Sequence, residues 1–367
     1  MRFYLIIAIL ALFFATNPSY SLYAADGQDE LASGYITITD ETGRIIFQTG
    51  RIVEVGDEFI DENNQLYEIF FVDGNSAKAR AVKTEEDTAF LLPADDVQPV
   101  FSVDFKPYIA IYHTHTDECY IPHDGQSVRP GKGSIIKVGS VLADSLRAHG
   151  YEVIHSTALH DPHDANAYHR SRRTAVSLMK RSYPAAMFDV HRDSVPLKKY
   201  HTIIDGEEAA KILLVVGRQS QNRPMIQDFA KNIKAVADNM YPGLILGIFI
   251  ARGNYNQDLT PRSILLEIGT QYNSLEAVKR SATLIADTIP MSLALANGTV
   301  SMADFNSSNF KPGDTSSAKL KPGVQKSSFL TWKHGVKALF LAAVIIGLGI
   351  YYLGFKKFLS RFSKRRN

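Results

Sequence analysis

Apolar and polar residues change rhythm once along this chain. Between residues 27 and 100 they alternate singly, in GYITITD, GRIIFQTG, QLYEIFFVDG and SAKARAV, each bounded by Gly, Asp or Asn. Period-two alternation between turn residues is the pattern of half-buried strands. It predicts a small β-rich domain over 26–100, with no chemical motif of its own. From Tyr108 the apolar residues gather into blocks: YIAIYHTH, YEVIHST, MFDVHRD, ILLVVG, LILGIFIARGNYNQ and RSILLEIGT are of strand length. Between them SIIKVGSVLADSLRAHG, ANAYHRSRRTAVSLMKRSY, MIQDFAKNIKAVADNMY and SLEAVKRSATLIADTIPMSLALAN repeat apolar residues at helical spacing. Strands alternating with helices predict an α/β fold over 105–297, with a mainly parallel sheet sandwiched by helices.

The two ends follow other patterns. Met1-Arg2, an apolar run from Phe3 to Ala15 and the small pair Ala24-Ala25 have the layout of a signal peptide over 1–25. Residues 298–335, rich in Ser, Asn, Lys, Pro and Gly, predict a flexible linker. Ala338 to Phe355 carries no charge, Trp332 precedes it, and Tyr351 and Tyr352 mark its far edge. These features predict one transmembrane helix over 336–355. The tail 356–367 holds six Lys or Arg and no acid, which predicts a cytoplasmic end. The expected product is a single-pass cell-membrane protein with its α/β domain outside.

Composition narrows the classes further. The net charge of +2 becomes −4 once the six tail cations are set aside, so no basic face for nucleic acid is expected. The single cysteine, Cys119, excludes an intrachain disulfide framework.

The candidate chemistry sits at strand ends, where ligands of open α/β sheets collect. HTHTDE offers His113, His115 and Glu118; FDVHRD offers Asp189, His191, Arg192 and Asp193; LLEIG offers Glu267. On a continuous strand His113 and His115 share a face. Two histidines and a carboxylate make the shell of a catalytic zinc, and a carboxylate off the metal, here Glu267, can take a proton from water. Other readings stay open. HxH with Asp189-Val190-His191 also fits a metal-dependent phosphoesterase, Cys119 near histidines fits a thiol hydrolase, and a degenerate site fits a non-enzymatic wall-binding or regulatory protein. Each histidine alone fits a hydrogen-bonded core residue.

IYHTHTDECYIP, VGSVLADSLRAHGYEV, AYHRSRRTA, FDVHRDSV, VVGR, RGNYNQDL and LLEIGTQYNSLEAV, in that order, resemble the stage II sporulation protein P family of cell-wall hydrolases. The resemblance implies an amidase-like fold and a Zn2+-dependent N-acetylmuramoyl-L-alanine amidase that cuts peptidoglycan between glycan and stem peptide. Some members are also credited with endopeptidase action. It implies work beside stage II sporulation proteins D and M in thinning septal peptidoglycan during engulfment. Carried over by residue, it implies His115 and His191 as metal ligands and Glu267 as the catalytic base. The carboxylate ligand of the wider amidases sits near the first long helix, where this chain reads RPGKGSII with no acid, so Glu118 takes that role. His113 is the reserve ligand or an orienting group. Arg192 is a candidate substrate contact, or one half of a structural ion pair with Asp193. Members usually hold the membrane by an N-terminal helix, so an anchor at the C-terminal end is a departure.

Overall fold

The structure is a computed structural model, and it describes residues 29–82, 108–180, 183–301 and 305. The alternating N-terminal segments form β1 (Ile36–Thr39), β2 (Ile45–Thr49), β3 (Glu58–Ile60), β4 (Leu66–Asp73) and β5 (Ser76–Ala81). The block-patterned region forms β6 (Tyr108–Tyr112), β7 (Glu152–His155), β8 (Ala186–Asp193), β11 (Ile212–Gly217), β12 (Ile245–Ala251) and β13 (Ser263–Thr270), with the hairpin β9 (His201–Ile204) and β10 (Glu207–Ala210) beside them. Its helices are the single turn α1 (Ile121–Asp124), α2 (Ile135–Ala148), α3 (Ala167–Leu178), α4 (Arg223–Met240) and α5 (Leu275–Ala296).

Eleven strands make one sheet in the order β2-β1-β5-β4-β3-β12-β11-β13-β8-β6-β7. The strands of 36–81 thus continue the sheet of the α/β region, because β3 pairs antiparallel with β12 through Ile248, Phe249 and Ile250. The pairs β6–β7, β6–β8, β8–β13 and β11–β12 are parallel, whereas β11–β13 is antiparallel. Hydrophobic blocks mark where strands lie but not which way they run.

Alternation decides which way each strand residue faces. Ile212, Leu214 and Val216 pack with Ile135, Val138 and Leu142 of α2, Phe229 and Ile233 of α4 and Val278 and Ile285 of α5. Leu213 and Val215 lie on the other side with Phe47, Phe59, Tyr67, Phe249 and Leu265. Farther along, Ala110, Tyr112 and Met187 meet Ala175 and Leu178 of α3. Both faces are therefore covered, which is why the central strands are buried at every position.

The architecture expected from the sequence needs one correction. Among the described residues no helix is long and apolar enough to cross a membrane. The 336–355 stretch, the tail after it and the signal-like segment 1–25 lie outside the described residues. The transmembrane helix, the single-pass localisation and attachment to a membrane are accordingly dropped.

Candidate metal centre

Strand parity sorts the histidines. In β6 Ile109 and Ile111 face α2, and His113, the next residue of that series, does the same. The strand stops at Tyr112, so the chain is already turning at His115 and the two histidines part. His113 Nδ1 donates to Val190 O at 2.9 Å, which leaves Nε2 to accept from His155 Nε2–H at 2.9 Å. Only a residue without a side chain lets α2 pass there: a methyl on Gly139 would lie 2.5 Å from His113 Cε1 and Nε2. Burial pushes His113 down to about 3 and His155 down to about 4, so both are neutral. His113 is a packing residue and takes no place in the metal cluster.

His115, Glu118 and His191 do come together, and Glu30 joins them. One ligand atom from each lies within 4.8 Å of the others. Glu118 Oε1 is 3.6 Å from His115 Nδ1 and 3.5 Å from His191 Nδ1. These three atoms are buried and have no hydrogen-bond partner among the described residues. Buried polar atoms are seldom left so, and three converging on one point fit a divalent cation.

The other side of each ligand is held. Glu118 Oε2 accepts from Arg192 N at 3.0 Å. His191 Nε2 faces Asp189 Oδ1 at 3.0 Å, and Asp189 is fixed in turn by Thr114 N at 2.8 Å and Thr114 Oγ1 at 2.6 Å. A carboxylate behind a ligating imidazole orients the ring and strengthens it as a ligand. His115 stacks on His163, with ring centroids 3.6 Å apart. Burial opposes charge throughout, yet Asp189 and Glu118 hold His191 well above the usual imidazole range. Against the same burial, His191 and His115 hold Glu118 well below the usual carboxylate range. The metal-free site is already arranged for ionised carboxylates.

Glu267 stands on β13 in register with His191 of β8, and in parallel strands in-register neighbours share a face. Arg51 Nη1 donates to Glu267 Oε1 at 2.7 Å, while Oε2 is buried without a partner among the described residues. Burial pushes Glu267 up to about 8; Arg51 pulls it down and Asp193 adds to the rise. Arg51 is itself buried, gives Nη1 to Glu30 Oε1 at 3.0 Å and Nη2 to Tyr168 Oη at 3.0 Å, and lies over the Tyr255 ring at 4.7 Å.

Comparison with known proteins gives the family. The profile described as Stage II sporulation protein P (SpoIIP) matches residues 58–290. The chain belongs to that family. Stage II sporulation protein P of Bacillus subtilis (strain 168) is 30% identical over 233 residues, which is 59% of this chain and 57% of that relative. The match thus spans a little over half the length of the curated relative. Among solved structures, N-acetylmuramoyl-L-alanine amidase AmiC2 of Nostoc punctiforme aligns with 50% of this chain and 96% of its own, at 17% identity and a TM-score of 0.29. The catalytic domain of the CD27L endolysin targeting Clostridia Difficile aligns with 53% and 99%, at 13% identity and a TM-score of 0.34. Overlays of that quality carry no argument about chemistry.

Within the family region, Arg192 is buried and its guanidinium is turned to a loop. Its guanidinium donates to Ser127 O at 2.9 Å and Cys119 O at 3.4 Å, pinning the loop that carries Glu118. Nor do the described ion pairs join it to Asp193, which accepts from Gly50 N at 2.7 Å and Tyr200 Oη at 3.0 Å. Cys119 is fully buried, and burial raises its thiol pKa, the opposite of what a nucleophile needs. Asp189 supports His191 from behind rather than entering the cluster, unlike the ligand a DxH phosphoesterase reading requires. Glu30 and Arg51 were not legible as site residues. Both precede the family match and lie in a region whose pattern speaks only of strands.

Proposed function

We propose that this chain is a zinc-dependent N-acetylmuramoyl-L-alanine amidase acting on peptidoglycan. The carrying observation is the convergence of the unpartnered His115 Nδ1, Glu118 Oε1 and His191 Nδ1 beside a carboxylate, Glu267, that lies outside the cluster. Two nitrogens and a carboxylate oxygen suit zinc, although cellular supply also governs which divalent ion is loaded. A zinc ion held there would polarise the scissile carbonyl and acidify a water.

The chain's own residues divide the remaining work. Asp189 fixes the His191 ring, and Arg192 N with the Arg192 guanidinium fixes Glu118 and its loop. Arg51 ties down Glu267 Oε1 and leaves Oε2 free to exchange a proton. Glu267 Oε2 takes the proton of the attacking water and delivers it to the leaving amide nitrogen. Burial raises this carboxyl to about 8 in the metal-free chain, and the charge of a zinc held beside it would lower it again toward neutral pH, where it can serve both halves of that transfer. The expected products are stem peptides that begin with a free L-alanine amine.

The test uses the full chain on purified peptidoglycan, zinc-loaded or chelated, with the products weighed by mass spectrometry. Stem peptides with a free L-alanine amine should form only with metal. In Glu267→Gln they should fall by roughly 10²–10⁴-fold while zinc stays bound. Cleavage at another bond, cleavage that survives chelation, or loss of zinc from Glu267→Gln would sink the assignment.

A further inference from the structure

Glu30 stands outside the matched family region yet inside the cluster. Its Oε1 is 3.3 Å from His115 Nδ1 and 3.0 Å from Arg51 Nη1, and its Oε2 is 3.2 Å from His163 Nε2. The residues around it form a strap. Glu30 bridges antiparallel to Arg51, Leu31 N donates to Gly50 O at 2.8 Å, and Ile52 N donates to Asp29 O at 3.0 Å. Farther along, Ser194 Oγ donates to Gly34 O at 3.1 Å. The strap therefore spans from the metal cluster to the end of β8.

Catalytic zinc sites keep three protein ligands and one open position, whereas a shell of four protein ligands is closed. Resting on the reading above that the cluster holds zinc, we propose that Glu30 is a fourth ligand and that its strap holds the site latent. Glu30 occupies the place that water or the scissile carbonyl needs. Arg51 Nη1 contacts Glu30 Oε1 and Glu267 Oε1 together, so the same guanidinium holds the stopper and the base. Opening requires the strap to give up its side-chain contacts with Arg51 and His163 and its hydrogen bonds with Gly50, Ile52 and Ser194. The His115, Glu118 and His191 atoms, all on the family region, remain behind as a three-ligand site.

Two measurements on the full chain test this without relying on turnover. The first is acetohydroxamate binding to the zinc-loaded protein, wild type against Glu30→Gln. A site open about a tenth of the time binds about tenfold more weakly, so Glu30→Gln should bind the hydroxamate at least about tenfold more tightly. The second needs no variant: zinc should slow hydrogen exchange at the amides of Leu31 and Ile52 in the wild type, because a ligand on the strap ties it to the core. Zinc binding with equal hydroxamate affinity and unchanged exchange would overturn the latch and leave the amidase reading standing. Failure to bind zinc at all would remove both.

Discussion

Asp189→Asn isolates the electrostatic support behind His191. Asp189 Oδ1 faces His191 Nε2 at 3.0 Å and accepts from Thr114 N at 2.8 Å, while Oδ2 accepts from Thr114 Oγ1 at 2.6 Å. An asparagine can keep all three contacts: its oxygen takes the Oδ1 place and its amide donates to Thr114 Oγ1. That hydroxyl then donates to Ser171 Oγ, already 2.8 Å away. Shape, the Thr114 hydrogen bonds and the close approach to His191 survive, and one negative charge is lost. Outer partners of metal-bound histidines are worth about 10–100-fold in metal affinity, or about 1.4–2.7 kcal/mol. The same charge also favours a competing proton on His191, but a divalent ion feels it twice over, so the net change remains a loss. Competition against a fluorescent zinc chelator at fixed pH measures it, with a thermal melt of the metal-free chains as control. Unchanged zinc affinity with an intact fold would refute the view that His191 binds through Nδ1 with Asp189 behind it.

Three further outcomes are expected. The His113–His155 pair is neutral in the fold, with values of about 3 and about 4 against 6.5 for an ordinary histidine. Between those values the unfolded chain binds more protons at these two residues, so their share of metal-free stability should be full above about pH 6.5 and be lost as pH drops toward 4; urea melts in which wild type and His155→Gln keep the same stability difference across that range would contradict it. Gly139→Ala puts a methyl 2.5 Å from the His113 ring and should lower stability by about 1–3 kcal/mol, read as a shift in the denaturation midpoint. Cys119→Ser should digest peptidoglycan at the wild-type rate, and a collapse of activity in a folded protein would revive the thiol reading.

How much of this was legible in the sequence depends on how local each feature is. The strands carrying His191 and Glu267 announce themselves as apolar runs, and the loop carrying His115 and Glu118 follows another. His113 was open to misreading because strand parity holds only while the strand lasts, and β6 ends at Tyr112. The strands of 36–81 were visible as alternation, but their joining to the main sheet depends on β3 meeting β12, nearly two hundred residues away. Pairing at that separation leaves no mark in either segment. Arg51 and Glu30 reach the site through contacts of similar range, such as Gly50 N to Asp193 Oδ1 and Ser194 Oγ to Gly34 O, so nothing near them in sequence could have named them. The described residues hold no membrane-spanning helix, and the apolar C-terminal run lies beyond them.

X-ray absorption at the zinc edge of the loaded full chain, with metal counted per chain, tests the proposed centre most directly. One zinc is expected, with two imidazole nitrogens and carboxylate oxygen at about 2.0–2.2 Å and no sulfur. A sulfur neighbour at about 2.3 Å, or a single imidazole in the shell, would contradict the assignment of His115, Glu118 and His191.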